Sequence, residues 1–259
     1  MQFQLKEING KVMIKENLIF DLGFHNGDDT DFYIKKGFCV VALEANTELV
    51  NKSLDRFRDY INNNKLVLIN KAVSDKKGIL NFYIHPYKAD WSSCDVNMAE
   101  SDGTKSKVIT VEAISLIDLC KEYGTPLYVK VDIEGCDLKV AEQLFRIDNK
   151  PQYISFETSK RDYTGIFSWL YVSGYKKFQL VNQLNNINRK KEKSQTSYEG
   201  KEIDYQFSKY SSGFFGKDLI ENKWLSFDEA LTRYVKYKEL KIIDNQELAL
   251  GWLDLHASL

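Results

Sequence analysis

The stretch Asp21-Leu22-Gly23-Phe24-His25-Asn26-Gly27-Asp28-Asp29-Thr30 decides the fold. Apolar Ile19-Phe20 lead into it, and a polar-to-apolar segment from Asp28 to Lys36 follows, so it reads as strand, tight turn, helix. Glycines in such a turn let the backbone approach a ligand closely where a side chain would block it. The first turn of the helix adds free amides beside them. Glu44 ends the next apolar run, Val40-Val41-Ala42-Leu43, roughly twenty residues on, where a carboxylate can accept both hydroxyls of a ribose. The full GxGxxG pattern is absent, because His25 stands in the middle glycine's place. A pyrophosphate needs that approach clear, and Asp21 at the strand end would repel it while helping to hold an ammonium group. The turn therefore favours a ligand with a ribose and an amino-acid tail but no phosphate, and S-adenosylmethionine has that chemistry.

Working outward, residues 47–62 place Leu49, Val50, Leu54, Phe57 and Ile61 on one helical face, and Leu66 to Val73 reads as the next strand. This alternation of strands and helices predicts a parallel sheet with helical crossovers. The rhythm pauses over 76–111, where Gly78 to His85 and Val108 to Val111 read as an inserted β-hairpin around a polar loop. It resumes with helices over 112–122, 137–146 and 163–172 and strands over 127–131, 153–156 and 175–181. Residues 183–212 are polar and lysine-rich and read as a second insertion. A helix from Phe227 to Leu240 is the last recognisable element, within a C-terminal helical segment over 225–259. No internal repeat or strong boundary divides the chain, so the expectation is one domain over 1–259 with its core over about 17–182.

The segments FDLGFHNGDDTDFYIKKGFCVVALEAN (20–46), NKAVSDKKGILNFYI (70–84), VEAISLIDLC (111–120), LYVKVDIEG (127–135) and SSGFFGKDL (211–219) together resemble the FkbM family of S-adenosylmethionine-dependent methyltransferases. The resemblance runs from about residue 17 to about residue 230. It implies an α/β class I methyltransferase fold of Rossmann-like type: a mostly parallel seven-stranded sheet with helices on both faces. It also implies methyl transfer to a hydroxyl oxygen. Carried over, the family pattern assigns Asp21, Gly23 and Gly27 to the methionine end of the cofactor, Glu44 with Ala45 and Asn46 to the ribose, and Ser74 and Asp75 to the adenine. His25 is the departure, a side chain that sits over the cofactor or reaches the acceptor.

Val129-Lys130-Val131-Asp132-Ile133-Glu134-Gly135 is the second chemical cluster. Ligands of open parallel sheets bind beyond the carboxyl ends of the strands, where Asp132 falls at the edge of the cofactor site. Glu134 lies two residues on, and Glu157 ends the following strand, YISFE. Removing a hydroxyl proton is work for a carboxylate, so Asp132 and Glu134 are the first candidates for catalysis, with Glu157 and His25 behind them. Trp91-Ser92-Ser93 reads as an acceptor wall suited to a sugar or polyol, with Tyr87, Tyr163 and Phe214-Phe215 as further lining. The run Arg189-Lys190-Lys191-Glu192-Lys193 reads as a solvated loop or, folded over the cleft, as an attraction for an anionic acceptor. No metal site is expected, since in-line methyl transfer does not require one.

Composition narrows the classes. The chain has 259 residues, 43% hydrophobic and 28% charged, with 3 prolines, which excludes disordered and collagen-like proteins. The 36 Lys and Arg against 37 Asp and Glu leave no global charge to draw a nucleic acid or an anionic membrane. Cys39, Cys94, Cys120 and Cys136 are far apart with no CxxC pair, and are expected as free thiols in a reduced compartment. No apolar leader or membrane-length run is present, so the expected setting is the cytoplasm. Three other readings stay open. Asp132-Ile133-Glu134 is also a D-x-E triplet of the kind that holds a divalent ion in nucleotide-sugar glycosyltransferases. A nicotinamide oxidoreductase would need the missing glycine. A non-catalytic module would keep the fold for binding alone. The favoured expectation is an O-methyltransferase acting on a small-molecule or glycan hydroxyl.

Overall fold

A computed structural model of the chain describes residues 7–8, 11–12, 15–158, 162–184, 192–193, 200–240, 242–243, 246–247 and 253–259. The first long strand, β1 (Lys15–Leu22), buries every side chain from Leu18 to its end. Helix α1 (Asp28–Lys35) follows and carries Asp28, Asp29 and Asp31 in its first turn, where the helix dipole favours acids. Strand β2 (Cys39–Leu43) leads to α2 (Thr47–Asn62), whose N-cap Asn46 accepts a hydrogen bond from the Glu48 amide. The next strand, β3 (Leu66–Ile69), is shorter than the sequence suggests, because the apolar run 66–73 breaks at Asn70-Lys71. Its remainder, β4 (Ala72–Ser74), belongs to another sheet.

That second sheet is the inserted unit. Strands β5 (Gly78–Ile84) and β6 (Lys107–Ser115) pair antiparallel, and β4 adds in parallel to β6, giving the order β4-β6-β5. The loop between β5 and β6 includes a turn of 3-10 helix at Ala89–Trp91 and the short helix α3 (Val96–Ala99). Strand β6 extends through Ser115, so α4 (Leu116–Tyr123) starts later than the amphipathic pattern suggests. Ser115 caps α4 by accepting from the Asp118 amide.

The chain returns to the main sheet with β7 (Pro126–Val131), α5 (Asp137–Leu144), β8 (Tyr153–Glu157), α6 (Tyr163–Val172) and β9 (Lys177–Asn182). Helix α7 (Phe227–Leu240) is where the sequence places it, but the structure does not end as a helical segment. Leu253–Ser258 forms β10, fully buried and inserted between β8 and β9, antiparallel to both. The main sheet has seven strands in the order β9-β10-β8-β7-β1-β2-β3, parallel except for β10. The expectation of a helical C-terminus is corrected here: Asp254, His256 and Ser258 alternate with Leu253, Leu255 and Ala257, the period of a strand, over a stretch too short to stand out from the helix before it.

The two faces of the sheet have different chemistry. On one face Phe20, Leu22, Val129, Val131, Ile154 and Phe156 pack against α4, α5, α6 and α7 in a continuous apolar core. The other face packs Ile19, Val40 and Tyr128 against Phe32 and Tyr33 of α1 and against Phe214 and Phe215. Phe215 stacks on Tyr128 with ring centroids 4.4 Å apart, so the aromatic pair expected at an acceptor pocket belongs instead to the core. This second face also carries buried polar groups toward its carboxyl edge, including Asp21, Lys130, Ser155, His256 and Asp254. Burial of His256, whose Nε2 has no hydrogen-bond partner among the described residues, pulls its pKa down to about 3.

The cysteine expectation is corrected at one pair. Cys94, in the inserted loop, and Cys136, at the N-cap of α5, form a disulfide across a sequence separation of 42. Spacing along the chain gave no hint of it, because the fold brings the inserted loop over the carboxyl end of β7. Cys39 and Cys120 are free. Disulfides persist mainly in oxidising surroundings, so the cysteines no longer argue for a cytoplasmic location. No described helix is long and apolar enough to cross a membrane.

Candidate active site

A cavity of about 450 Å³ opens at the carboxyl ends of β1, β2, β7 and β8, a size within the roughly 300–1,000 Å³ range of small-molecule sites. Its first wall is the turn after β1. The amides of Gly23 and Phe24 both donate to the carbonyl of Leu43, which locks this turn to the end of β2. Gly23 has φ +96°, and a Cβ there would sit 1.8 Å from the backbone oxygen of Asp132. The two strand ends can meet this closely only through glycine. Gly27, with φ +80°, faces the rings of Phe24 and Phe57, which leave no room for a side chain.

Glu44 leaves the end of β2 and is held at both oxygens. The amide of His25 donates to Oε2 and that of Asn46 to Oε1, each at 2.8 Å. Burial pushes the Glu44 pKa up to about 7, against the pull of these two amides. Asn70 supports the same bend by donating to the carbonyls of Glu44 and Ala45. His25 adopts φ 50°, and its ring packs edge-on to Tyr210 at 5.3 Å. Burial lowers its pKa, so the imidazole is uncharged at neutral pH.

Beneath the turn lies an ionic group that sequence reading did not anticipate. Lys130 is almost fully buried, with its Nζ 3.2 Å from Asp132, 3.5 Å from Asp29 and 3.6 Å from Asp21. Burial opposes its charge, but Asp132, Asp21 and Asp29 together hold its pKa well above the ordinary lysine value. Its Nζ also donates to the carbonyl of Gly23 at 3.3 Å, tying β7 to the glycine turn. Asp21 accepts from Thr30 of α1 at 2.6 Å, so this acid braces the turn from below. Burial raises its pKa. A lysine inside the apolar run LYVKVD was the signal available, since a charge in a buried parallel strand needs partners.

The opposite wall is acidic. Asp132 follows β7 with its amide donating to the carbonyl of Leu22. The next turn is held by Asp137, which accepts from the amides of Ile133 and Gly135. Glu134 sits in the left-handed region at φ 45°, and Ser93 Oγ donates to its carbonyl. Glu157 joins from the end of β8, and all three acids border the cavity. Burial, followed by the charge of Asp132, raises the pKa of both Glu134 and Glu157. The inserted loop closes this side with Trp91, Ser92 and the Cys94–Cys136 disulfide. The Lys88 ammonium lies 3.3 Å from the centroid of the Trp91 ring.

The cavity therefore brings together Gly23, His25, Glu44, Ala45, Asp132, Glu134 and Glu157. It does not include Asp21, Gly27 or Asn46, which lie behind its wall as supports. Nor does it include Ser74 and Asp75; the chain presents Lys71, Ala72 and Val73 there. Tyr87 is exposed, and Tyr163 packs on Tyr234 with centroids 4.8 Å apart, so neither lines the cavity, whereas Lys209 and Tyr210 do. The basic run at 189–193 lies outside the described residues apart from the backbone of 192–193.

Among solved structures, the chain is similar to a methyltransferase FkbM from Methylobacillus flagellatus KT, at 15% identity and a TM-score of 0.46, covering 67% of this chain and 42% of that one. It is also similar to a precorrin-6y C5,15-methyltransferase from Geobacter metallireducens GS-15, at 10% identity and a TM-score of 0.36, covering 75% of this chain and 76% of that one. This chain thus spans less than half the length of the first of these proteins. No curated protein matches the sequence. Residues 21–178, more than half of the chain, match the family model described as the methyltransferase FkbM domain, and they contain both the glycine turn and the acidic wall. The chain belongs to the FkbM methyltransferase family.

Proposed function

We propose that the protein transfers a methyl group from S-adenosylmethionine to a hydroxyl oxygen of a sugar, glycan or glycosylated small molecule. The observation that carries this reading is the pairing of two unlike walls on one cavity: the glycine turn with Glu44 on one side, and Asp132, Glu134 and Glu157 on the other. Methyltransferases of this class generally use S-adenosylmethionine, and the first wall suits it. Glu44, already ordered by two backbone amides, takes the ribose hydroxyls. The turn at Gly23 admits the methionine end close to the backbone, and Ala72 and Val73 offer an apolar seat for the adenine.

The acceptor lies against the second wall. Methyl transfer to oxygen asks chiefly for alignment of the sulfonium methyl with the oxygen, which contributes on the order of 7–11 kcal/mol at best. It also asks for a group to take the hydroxyl proton, and Asp132, Glu134 and uncharged His25 all border the same space. Trp91 offers a ring face, and the surrounding carboxylates accept hydrogen bonds from neighbouring hydroxyls, which together suit a polyol. Lys130 keeps the acids in place beneath the cofactor instead of acting on the acceptor.

The experiment is a calorimetric titration with S-adenosylhomocysteine, with NAD⁺ and UDP as controls. Stoichiometric micromolar binding of the first alone is expected. Metal-dependent binding of UDP with no response to S-adenosylhomocysteine would replace this reading with nucleotide-sugar chemistry at the D-x-E triplet.

A further inference from the structure

We propose that Asp132, Glu134 and Glu157 bind one hard divalent cation, of the Mg²⁺, Mn²⁺ or Ca²⁺ class, on the acceptor side of the cavity. Each of the three offers a carboxylate oxygen, and these oxygens lie within 4.8 Å of one another. That spread suits oxygen ligands placed roughly 2.0–2.6 Å from a common ion. The donors are all oxygen. The two cysteines that line the cavity, Cys94 and Cys136, are joined to each other and offer no thiolate, which points to a hard ion over zinc.

A fourth carboxylate makes the case independently of the cluster. Asp254 of β10 is 2% exposed; Gln183 hydrogen-bonds its side chain, but its Oδ2 is buried with no hydrogen-bond partner among the described residues. It stands directly opposite Glu157 in the antiparallel register of β8 and β10, so both side chains leave the same face of the sheet. Val131 pairs with Phe156 in the parallel register of β7 and β8, which sets Asp132 beside Glu157 on that face too. Asp254 therefore belongs to the same row of the sheet as Glu157 and Asp132, next to the cluster and outside the cavity lining.

Charge points the same way. Lys130 is shared among Asp21, Asp29 and Asp132. Lys130 also acts on Asp254, and a divalent ion would add positive charge beside Glu134 and Glu157, which have no lysine or arginine pair among the described residues. The Glu134 turn is already fixed, by Ser93 on its carbonyl and by Asp137 on the flanking amides, so the ligands need little rearrangement. The role of the ion rests on the methyl-transfer reading: it would hold two neighbouring oxygens of the acceptor and present one of them to the methyl group.

The test uses the whole chain and Mn²⁺ as probe, with free Mn²⁺ read by electron paramagnetic resonance. One Mn²⁺ per chain with micromolar affinity is expected, competed by Mg²⁺ or Ca²⁺. Affinity should fall at least tenfold in Glu157→Gln and, separately, in Asp132→Asn. Titration of the same preparations with S-adenosylhomocysteine shows whether each variant is folded. Absence of saturable Mn²⁺ binding by the wild-type chain that binds S-adenosylhomocysteine overturns the cation site and leaves the methyl-transfer reading standing. Wild-type Mn²⁺ affinity retained in both variants also overturns it. Mn²⁺ bound at these residues without any S-adenosylhomocysteine binding supports the site and removes the methyl-transfer reading instead.

Discussion

Cys94 and Cys136 tie the loop that carries Trp91 to the turn that carries Glu134, so one covalent bond fixes the distance between two parts of the cavity wall. The bond closes a loop across 42 residues of sequence separation, which in the chain-entropy account stabilises by about 2–4 kcal/mol. Reduction by dithiothreitol, or the Cys94→Ser variant, should lower the thermal midpoint measurably. An unchanged melt on reduction would show that Ser93 and Asp137 hold the turn without the disulfide.

Gly23→Ala tests the close approach of β1 and β7. The new methyl group would stand 1.8 Å from the Asp132 carbonyl oxygen, at a φ that side chains disfavour, so the turn must move. Since Asp132 donates its own amide to Leu22, the shift reaches both walls of the cavity. S-adenosylhomocysteine affinity should fall more than tenfold, or about 1.4 kcal/mol, in a calorimetric titration. Wild-type affinity would place the cofactor elsewhere.

The ribose role proposed for Glu44 predicts a pH dependence for cofactor binding. The Glu44 pKa lies at about 7, while only the ionised form accepts hydrogen bonds from both ribose hydroxyls with full strength. Cofactor binding therefore favours loss of the proton, and affinity should weaken as pH falls through about 7, approaching tenfold per pH unit below it. Glu44→Gln should flatten that profile between pH 5.5 and 8, a range chosen to span about one to one and a half units either side. Glu44→Ala, which also removes the acceptor for the His25 and Asn46 amides, should cost about 1.5–3 kcal/mol of affinity. A wild-type Kd independent of pH in this range would remove Glu44 from the ribose site.

The parts of the molecule visible in the sequence are those set by neighbours along the chain. The turn with glycines at 23 and 27 and an acid at 44 could be read because strand, turn and helix follow one another within a few residues, though Gly27 supports the cavity wall without lining it. Lys130 could not be read as the hub of Asp21, Asp29 and Asp132, since those partners converge only once β1 and β7 pair. The break at Asn70-Lys71, which ends one strand and starts another in a different sheet, could not be read from the apolar run over 66–73, and it brings Lys71, Ala72 and Val73 to the cavity wall. The last strand was missed for a different reason. It is six residues long, and its polar positions, Asp254 and His256, are buried on the site's face of the sheet, so nothing in the sequence marks it as a central strand.

The pair Lys36 and Asp218 supplies a stability prediction remote from the chemistry. Both side chains are completely buried and bonded to each other, joining the end of α1 to the segment after Phe215. The segment carries Phe214, Phe215 and Leu219 into the core, so the ion pair fixes the cover of the sheet's second face. Removing one partner leaves the other charge buried without compensation, which costs about 3–5 kcal/mol, whereas replacing both with apolar groups removes the uncompensated charge. Lys36→Met should therefore lose most of the stability margin in urea denaturation, while Lys36→Met combined with Asp218→Leu should recover part of it. Since neither residue borders the cavity, a folded double variant should bind S-adenosylhomocysteine like the wild type. A double variant less stable than Lys36→Met alone would mean that Asp218 holds the segment through its other contacts and not through the lysine.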